Sequence, residues 1–296
     1  MNHAAPTRSL VPSLWRRLFH GARLVRQQPD WVRFAGEDWA DRIMTETVTD
    51  KLHEKQGRAI ARWTLADGSS RLIAFLKRHY KLPWWDGALA TLFPRQAWSP
   101  GLQEWEHLEW AKAEGFSVPR AVAAGQFVGP WFKLQGFIAV EELTGMLPLH
   151  QAVPLAFERL DSVSFLRWKR GLTAELARIA RELHRRKVFH KDLYFCHFYI
   201  DEALTHRVPE SWANRAVMID LHRMAKHTLA AKWFQVKDLA QFLYSSDVPG
   251  VTARDRIRFW KLYGGSAWLR PFIRWKWQLY RRHSRRKRMK ALGSDS

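Results

Sequence analysis

The sequence predicts an α+β chain, rich in strands first and in helices second. Three observations lead there. Residues 58–65 (RAIARWTL) and 71–80 (RLIAFLKRHY) are apolar runs of strand length separated by ADGSS, whose Asp67-Gly68 is a hairpin signal. Residues 116–140 hold two or three more strand-like runs, the last of them within GFIAVEEL. From about residue 155 the apolar period becomes helical, most cleanly at Leu172, Leu176, Ile179, Ala180 and Leu183. A strand-rich part joined to a helical part gives an α+β arrangement or two lobes, and 296 residues is enough for either.

Taken in order, residues 10–26 read as an amphipathic helix. Val11, Leu14, Trp15, Leu18, Ala22 and Val25 recur at helical spacing, and Arg16, Arg17, Arg23 and Arg26 fill much of the rest. Such a helix lies in a lipid interface or docks on the domain behind it, and both readings stay open. After the two strands, WSPGLQEWEHLEWAKAEG reads as a helix with Pro100 near its start and Gly115 as its stop. HFYI and AVMIDL are short apolar runs of strand length. WFQVKDLAQFLYS, TARDRIRFWKLYG and RPFIRWKWQLYRRHSRRKRMK read as helices. No internal repeat is present.

Apolar residues make up 47% of the chain, which fits a folded protein and excludes a disordered tail. A single cysteine, Cys196, excludes an internal disulfide framework. No run of 18 apolar residues occurs, so no transmembrane helix is expected, and the N-terminus lacks the apolar core of a signal peptide. These points favour the cytoplasm. The net charge of +21 draws anions: nucleic acid, acidic lipid, phosphorylated glycans or acidic proteins. The run RRHSRRKRMK (281–290) is a solvated basic tail or an interaction tail.

Four charged residues sit where burial is expensive. Lys77 lies inside AFLKRHY, Glu104 starts a helix face, Asp192 falls between a helix and a strand, and Asp220 ends AVMI. Their order matches the groups that phosphoryl transfer needs. A lysine neutralises nucleotide phosphates, a glutamate holds the lysine, one aspartate takes the acceptor hydroxyl's proton, and another binds Mg²⁺ bridging the phosphates of ATP. HKDL is close to the kinase H-R-D-L, and five residues beyond Asp192 the metal-binding Asn is replaced by His197. A neutral imidazole nitrogen also binds a metal or holds a metal-bound water. Taken alone, each group has a plain alternative: a snorkelling strand lysine, an exposed glutamate (Glu106 and Glu109 being rivals), an aspartate capping a strand. His190, His197 and His222 suggest zinc, but no second cysteine and no tight ligand pair on one turn accompany them.

HKDLYFCHF resembles the HRDCYICHF segment of the Kdo/heptose lipopolysaccharide kinase family, whose fold is protein-kinase-like. AFLKRHY is similar to that family's strand-lysine segment and QEWEHLEWAKAEGFSV to its REW helix, which places the family's glutamate at Glu104. VMIDLHRM is similar to its IDLHR metal-aspartate segment, and VKDLAQFLYSS to the KDL helix that follows. The match is colinear from about residue 35 to the last helix. It departs at Lys191 for Arg, Leu193 for Cys and Gln103 for Arg, none of them a reacting group.

The resemblance implies a bilobal fold with an N-terminal extension (1–34), a strand-rich N-lobe (35–140) and a helical C-lobe (141–296). It implies ATP-dependent phosphorylation of a heptose in the lipopolysaccharide inner core, at the cytoplasmic face of the bacterial inner membrane. The core glycolipid and a peripheral contact with an anionic membrane surface are then the expected partners. Family members are also associated with acyl carrier protein, which no motif here specifies. In the site, Asp192 is the base, Lys77 with Glu104 meets the nucleotide phosphates, Asp220 and His197 hold metal, and His190 supports the loop. Cys196 and the aromatics pack beneath it. Backbone at Glu141, Glu142 and Leu143 contacts the nucleotide base, and Asp238 holds the loop from the helix below. No Gly-rich phosphate loop is evident: TDKLHEKQGRA (49–59) stands there with one glycine, and basic side chains partly substitute.

The rival readings are a kinase of the same fold acting on Kdo, another glycan or a protein hydroxyl, and a non-catalytic kinase-like binding module. Retention of Lys77, Asp192 and Asp220 argues against the module. The lack of any recognised RNA or DNA motif argues against a nucleic-acid partner.

Overall fold

In the computed structural model the described residues are 13–47, 50–55 and 57–292, with side chains described outside 50–55 and 286–292. The chain divides into two compact units, one of residues 1–109 with 120–142, the other of 110–119 with 143–296.

The first unit is built on a six-stranded antiparallel sheet. Its strands are β1 (Ala22–Gln27), β2 (Asp50–Lys55), β3 (Arg58–Asp67), β4 (Ser70–His79), β5 (Ala121–Val128) and β6 (Leu134–Glu141), in the order β1-β5-β6-β4-β3-β2. Its helices are α1 (Leu14–His20), α2 (Trp31–Ala35), α3 (Trp39–Arg42), α4 (Trp84–Leu92) and the first part of α5 (Pro100–Ala113). The β3–β4 hairpin closes between Asp67 and Ser70, with Gly68 at φ 56°. That left-handed value is one glycine adopts at little cost. β4 alternates strictly: Leu72, Ala74, Leu76 and Arg78 are buried on one face. There they meet Trp31, Trp39, Ile43 and Phe137, and the two tryptophans pack edge-to-face at 5.9 Å. Arg78 is only 4% exposed. Its guanidinium donates to the carbonyl of Glu46 at 2.9 Å, so the buried charge is partnered. The period of two turns Lys77 to the opposite face of the strand.

The helix read over 10–26 is shorter. Its described part, α1, ends at His20, and residues 22–27 form edge strand β1, paired with Val128 to Ala123 of β5. Gly21 makes the break: its φ is 80°, and a Cβ there would lie 2.2 Å from the Val128 carbonyl oxygen. α1 is also seated the other way round from the docking reading. Arg17 is buried, while Leu14, Trp15 and Phe19 are exposed. Residues 10–12 of that reading lie outside the described residues.

Between β5 and β6 a short 3-10 turn spans Pro130–Phe132. Trp131 (φ 57°) and Phe132 (φ 64°) are both left-handed. For bulky residues this conformation costs on the order of 1–3 kcal/mol each. Two glycines permit close backbone approach elsewhere in the unit. A Cβ at Gly87 of α4 would lie 1.8 Å from the Phe132 carbonyl oxygen, and one at Gly101 of α5 would lie 2.2 Å from that of Phe137 in β6.

The second unit is mainly helical: α6 (Leu149–Arg159), α7 (Ser162–Arg185), α8 (Ala231–Ser245), α9 (Ala253–Tyr263) and α10 (Arg270–Leu292). α7 is capped by Asp161, whose carboxylate accepts from the amides of Val163 and Ser164. The predicted stripe Leu172, Leu176, Ile179, Ala180 and Leu183 is buried throughout. α9 starts with a reciprocal capping box between Thr252 and Asp255 and stops at Gly264. Five short strands, β7 (Met146–Pro148), β8 (Val188–Phe189), β9 (Phe198–Asp201), β10 (Val217–Met218) and β11 (Ala225–Lys226), form a three-stranded and a two-stranded sheet. β8 and β9 bracket the HKDLYFCH segment, and β10 and β11 bracket IDLHRM. The basic run after residue 280 continues the α10 backbone.

Candidate active site

In the first unit, Lys77 Nζ lies 2.8 Å from Glu104 Oε1, with both side chains largely buried. The pairing follows from sheet alternation and from the close seat of α5 that Gly101 allows. Ser99 Oγ accepts from the Leu102 amide at 3.3 Å and caps the start of that helix. At the other end of β6 the carboxylates are already engaged. Glu142 accepts a two-pronged contact from Arg62 at 2.7 and 2.8 Å, which holds its pKa below the ordinary carboxylate value. Glu141 meets Arg120, which also pairs with Asp30. The amides of Glu141 and Glu142 donate to the carbonyls of Arg120 and Ile73. The Leu143 carbonyl accepts from Met146. The turn that stands in place of a Gly-rich loop joins β2 to β3, with Gly57 at φ 77°. Of the basic side chains proposed to assist there, those on residues 50–55 lie outside the described side chains, while Arg58 is described and half-buried at the start of β3.

In the second unit the HKD loop hangs on one buried carboxylate. Asp238 of α8 is fully buried and accepts from the His190 amide at 2.9 Å and the Lys191 amide at 2.8 Å. It also lies 3.3 Å from His184 Nε2 of α7. Lys191 sits at φ 68°, a left-handed turn that aims the next residue. That residue, Asp192, is held by the Arg223 guanidinium at 3.0 and 3.2 Å and by Gln241 Nε2 at 3.3 Å. Lys237, one turn before Gln241 on α8, is half-buried; burial and then the neighbouring Arg223 push its pKa down.

His190 is fully buried, and burial pushes its pKa down, so the ring is neutral. Its Nε2–H then donates to the Ile219 carbonyl at 3.0 Å, which ties the HKD loop to the residue before Asp220. His197 stacks on it at 5.7 Å, and its Nδ1 lies 2.7 Å from the Asp192 carbonyl. In the neutral ring that contact places the proton on Nδ1 and leaves the Nε2 lone pair 3.7 Å from Asp220 Oδ2. Burial pulls the His197 pKa down, and contacts with Cys196, the Asp192 carbonyl and Asp220 outweigh it, leaving it above the ordinary value. Asp220 is itself left-handed (φ 63°) and its Oδ1 lies 2.7 Å from His222 Nδ1. Asp192, His197, Asp220 and His190 are therefore assembled in one place.

One expectation is corrected. Cys196 does not pack beneath the loop: the 3-10 turn Phe195–His197 turns Phe195 into the core and leaves Cys196 exposed. The sequence reading also missed Arg223, Gln241 and Lys237. The first directly follows IDLH, and the other two lie four residues apart on α8, on either side of Asp238, a usable signal once α8 is placed against the loop.

A family model described as lipopolysaccharide kinase (Kdo/WaaP) matches residues 92–263. The chain belongs to the lipopolysaccharide kinase family. It is a kinase, a phosphotransferase with a sugar hydroxyl as acceptor, and the family implies use of ATP. It is 30% identical over 242 residues to the lipopolysaccharide core heptose(I) kinase WaaP of Pseudomonas aeruginosa, covering 81% of this chain and 86% of that protein. It is 29% identical over 164 residues to the protein of the same name from Escherichia coli K12, covering 55% and 59%. A solved structure of WaaP in complex with acyl carrier protein has 25% identity and a TM-score of 0.62, covering 89% of this chain and 97% of that one. The lipopolysaccharide kinase thus has the protein-kinase-like α+β fold that its sequence predicts.

Proposed function

We propose that this kinase transfers the γ-phosphate of ATP to a heptose hydroxyl of the lipopolysaccharide inner core, at the cytoplasmic face of the inner membrane. The observation that supports it best is the assembly of Asp192 with Arg223, Gln241, His197 and Asp220 in the second unit. Asp192 accepts the acceptor hydroxyl's proton, and its carboxylate is oriented by two donors before any substrate arrives. Lys77, held by Glu104, neutralises nucleotide phosphates. Backbone at Glu141–Leu143 meets the base, and His190 positions the loop.

The donor set at Asp220 fits Mg²⁺. It offers a carboxylate oxygen and, at 3.7 Å, an imidazole nitrogen whose tautomer is fixed by the Asp192 carbonyl. Asp220 would hold the ion directly and His197 would hold it or one of its waters. When bound, it supplies charge neutralisation on the phosphates. The second unit also contains a cavity of about 660 Å³ whose lining includes Leu172, Leu176, Phe242 and Trp277 together with Arg270 and Arg274. Apolar walls with cations suit an acidic partner bearing an acyl group, which supports acyl carrier protein as a partner. Among the described residues no helix is long and apolar enough to cross a membrane. The net charge of +21 suits an acceptor bearing phosphates and carboxylates on a negatively charged leaflet.

The test is transfer of labelled γ-phosphate from ATP to purified dephosphorylated lipopolysaccharide core, with Asp192→Asn as control. Label on the core sugar that vanishes in the variant supports the proposal. ATP turnover without labelled glycolipid moves the acceptor to Kdo, another glycan or a protein hydroxyl. Absence of both signals favours a binding module.

A further inference from the structure

One face of the first unit is built in a way that a monomeric soluble surface does not need. α1, the 130–132 turn and α4 pack on one another: Phe19 meets Trp131 edge-to-face at 5.4 Å, the Arg17 guanidinium reaches the Leu92 carbonyl at 3.5 Å, and Gly87 lets α4 touch the turn's backbone. These three elements hold large apolar side chains out into solvent. Trp15 is 71% exposed, Trp131 64%, Trp85 61% and Trp84 56%, with Phe19, Leu92 and Phe93 near half. A contiguous cluster of this size marks an interaction surface. Trp131 is presented by a backbone that is left-handed at two successive bulky residues. Such costly conformations cluster where they serve function.

The charges around the face identify the partner. Arg16 adjoins Trp15, Lys81 precedes Trp84, Arg95 follows Phe93, and Lys133 follows the turn; all four are exposed. The one carboxyl on α4, Asp86, is half-buried, and burial pushes its pKa up. Beside the face opens a cavity of about 720 Å³ whose lining includes His20, Arg23, Lys81 and Lys133 and, among the described residues, no acidic one. Arg23 is paired with Asp41, but the Lys81 and Lys133 side chains make no ion pair or hydrogen bond among the described residues. Tryptophan beside unpaired cations is the composition of a surface that enters the headgroup zone of a bilayer, rings toward the acyl chains and cations on phosphate.

We propose that α1, the Pro130–Phe132 turn and α4 form a membrane-docking face for an anionic phospholipid bilayer, with a lipid phosphate received between Lys81 and Lys133 in the adjoining cavity. This deepens the membrane-surface part of the proposed function and rests on it only for the origin of the lipid.

The experiment is flotation of the full chain with vesicles of phosphatidylglycerol mixed into phosphatidylcholine, against pure phosphatidylcholine. Transfer to detergent-solubilised core is measured in parallel, so a failed kinase reading shows as no transfer by the unaltered chain whatever the vesicles do. Trp84→Ser with Trp131→Gly is expected to lower partition onto anionic vesicles at least tenfold. The same Gly relieves the left-handed strain, so thermal stability holds or rises, which a merely structural tryptophan would not allow. Lys81→Glu with Lys133→Glu is expected to lower partition onto anionic vesicles by a similar factor and to leave the weak binding to neutral ones unchanged. Unaltered binding by both pairs, or equal binding of the unaltered chain to neutral and anionic vesicles, overturns the proposal. Full release by inorganic phosphate at constant ionic strength also overturns it, by assigning the cavity to a soluble anion.

Discussion

Replacing Asp238 is expected to unfasten the HKD loop while leaving the rest of the second unit folded. The carboxylate is fully buried and its two oxygens accept the amides of His190 and Lys191 at 2.9 and 2.8 Å. In Asp238→Ala both donors lose their partner in a place water reaches poorly, at about 1–3 kcal/mol each, or roughly 2–6 kcal/mol in all. Asp238→Asn keeps one acceptor oxygen and turns an NH₂ toward the other amide, so about half of that loss is expected. The left-handed Lys191 amplifies the effect on function. That conformation costs about 1–2 kcal/mol for an L-residue, so once the amides are released the loop relaxes and Asp192 leaves its place beside Arg223 and Gln241. The assays are urea denaturation, amide hydrogen exchange at residues 190 and 191, and transfer to lipopolysaccharide core. The expected pattern for Asp238→Asn is a stability loss of about 1–3 kcal/mol, lost protection at those two amides and a fall in kcat much larger than any change in KM for ATP. Stability within about 0.5 kcal/mol of the unaltered chain, with protection and kcat retained, would refute the reasoning, because a buried carboxylate with two amide donors is not removed at that cost.

Asp220→Ala is expected to abolish Mg²⁺-dependent nucleotide binding, read by titration with and without the ion; unchanged binding removes the metal assignment. Gly101→Ala drives a Cβ into the Phe137 carbonyl and is expected to cost about 1–3 kcal/mol by calorimetry. It should also raise KM for ATP as Glu104 is drawn off Lys77, and an unchanged KM would separate the seat of α5 from that pair. Asp255 gives a pH signature. Burial alone would raise its pKa, but hydrogen bonds from Thr252 and Lys169 outweigh burial and hold it below the ordinary carboxylate value. A depressed folded pKa contributes stability that is complete above the unfolded value, near 3.9, and lost as pH falls through the folded one. The stability difference between the unaltered chain and Asp255→Asn should therefore be full at pH 6 and shrink below about pH 4; a pH-independent difference would sink that account.

Much of the candidate site was legible because charged residues interrupted apolar elements. Lys77 in β4 and the Asp220 that follows β10 are visible as charges on runs that otherwise bury, and their order with Glu104 and Asp192 already suggests phosphoryl transfer. The β3–β4 hairpin and the α7 stripe were legible from period alone. The break at Gly21 was not, because an edge strand and an amphipathic helix share an apolar pattern over six residues, and only the approach of the Val128 carbonyl decides between them. Arg223, Gln241 and Lys237 were hidden for a different reason. Arg223 and Gln241 meet Asp192 across 31 and 49 residues of sequence, Lys237 neighbours Arg223, and in a chain of net charge +21 a cation does not announce its partner.

The edge position of β1 sets a limit on how the chain can be shortened. Cutting after residue 28 would remove more than an appendage. It would strip the partner from the Ala123–Val128 register of β5 and open a row of backbone donors and acceptors on an apolar strand. Such an open edge is a template for neighbouring copies, so a truncated chain is expected to self-associate. The N-terminal segment works as a seal on the sheet, and dissecting its functions requires point substitutions in place of deletions.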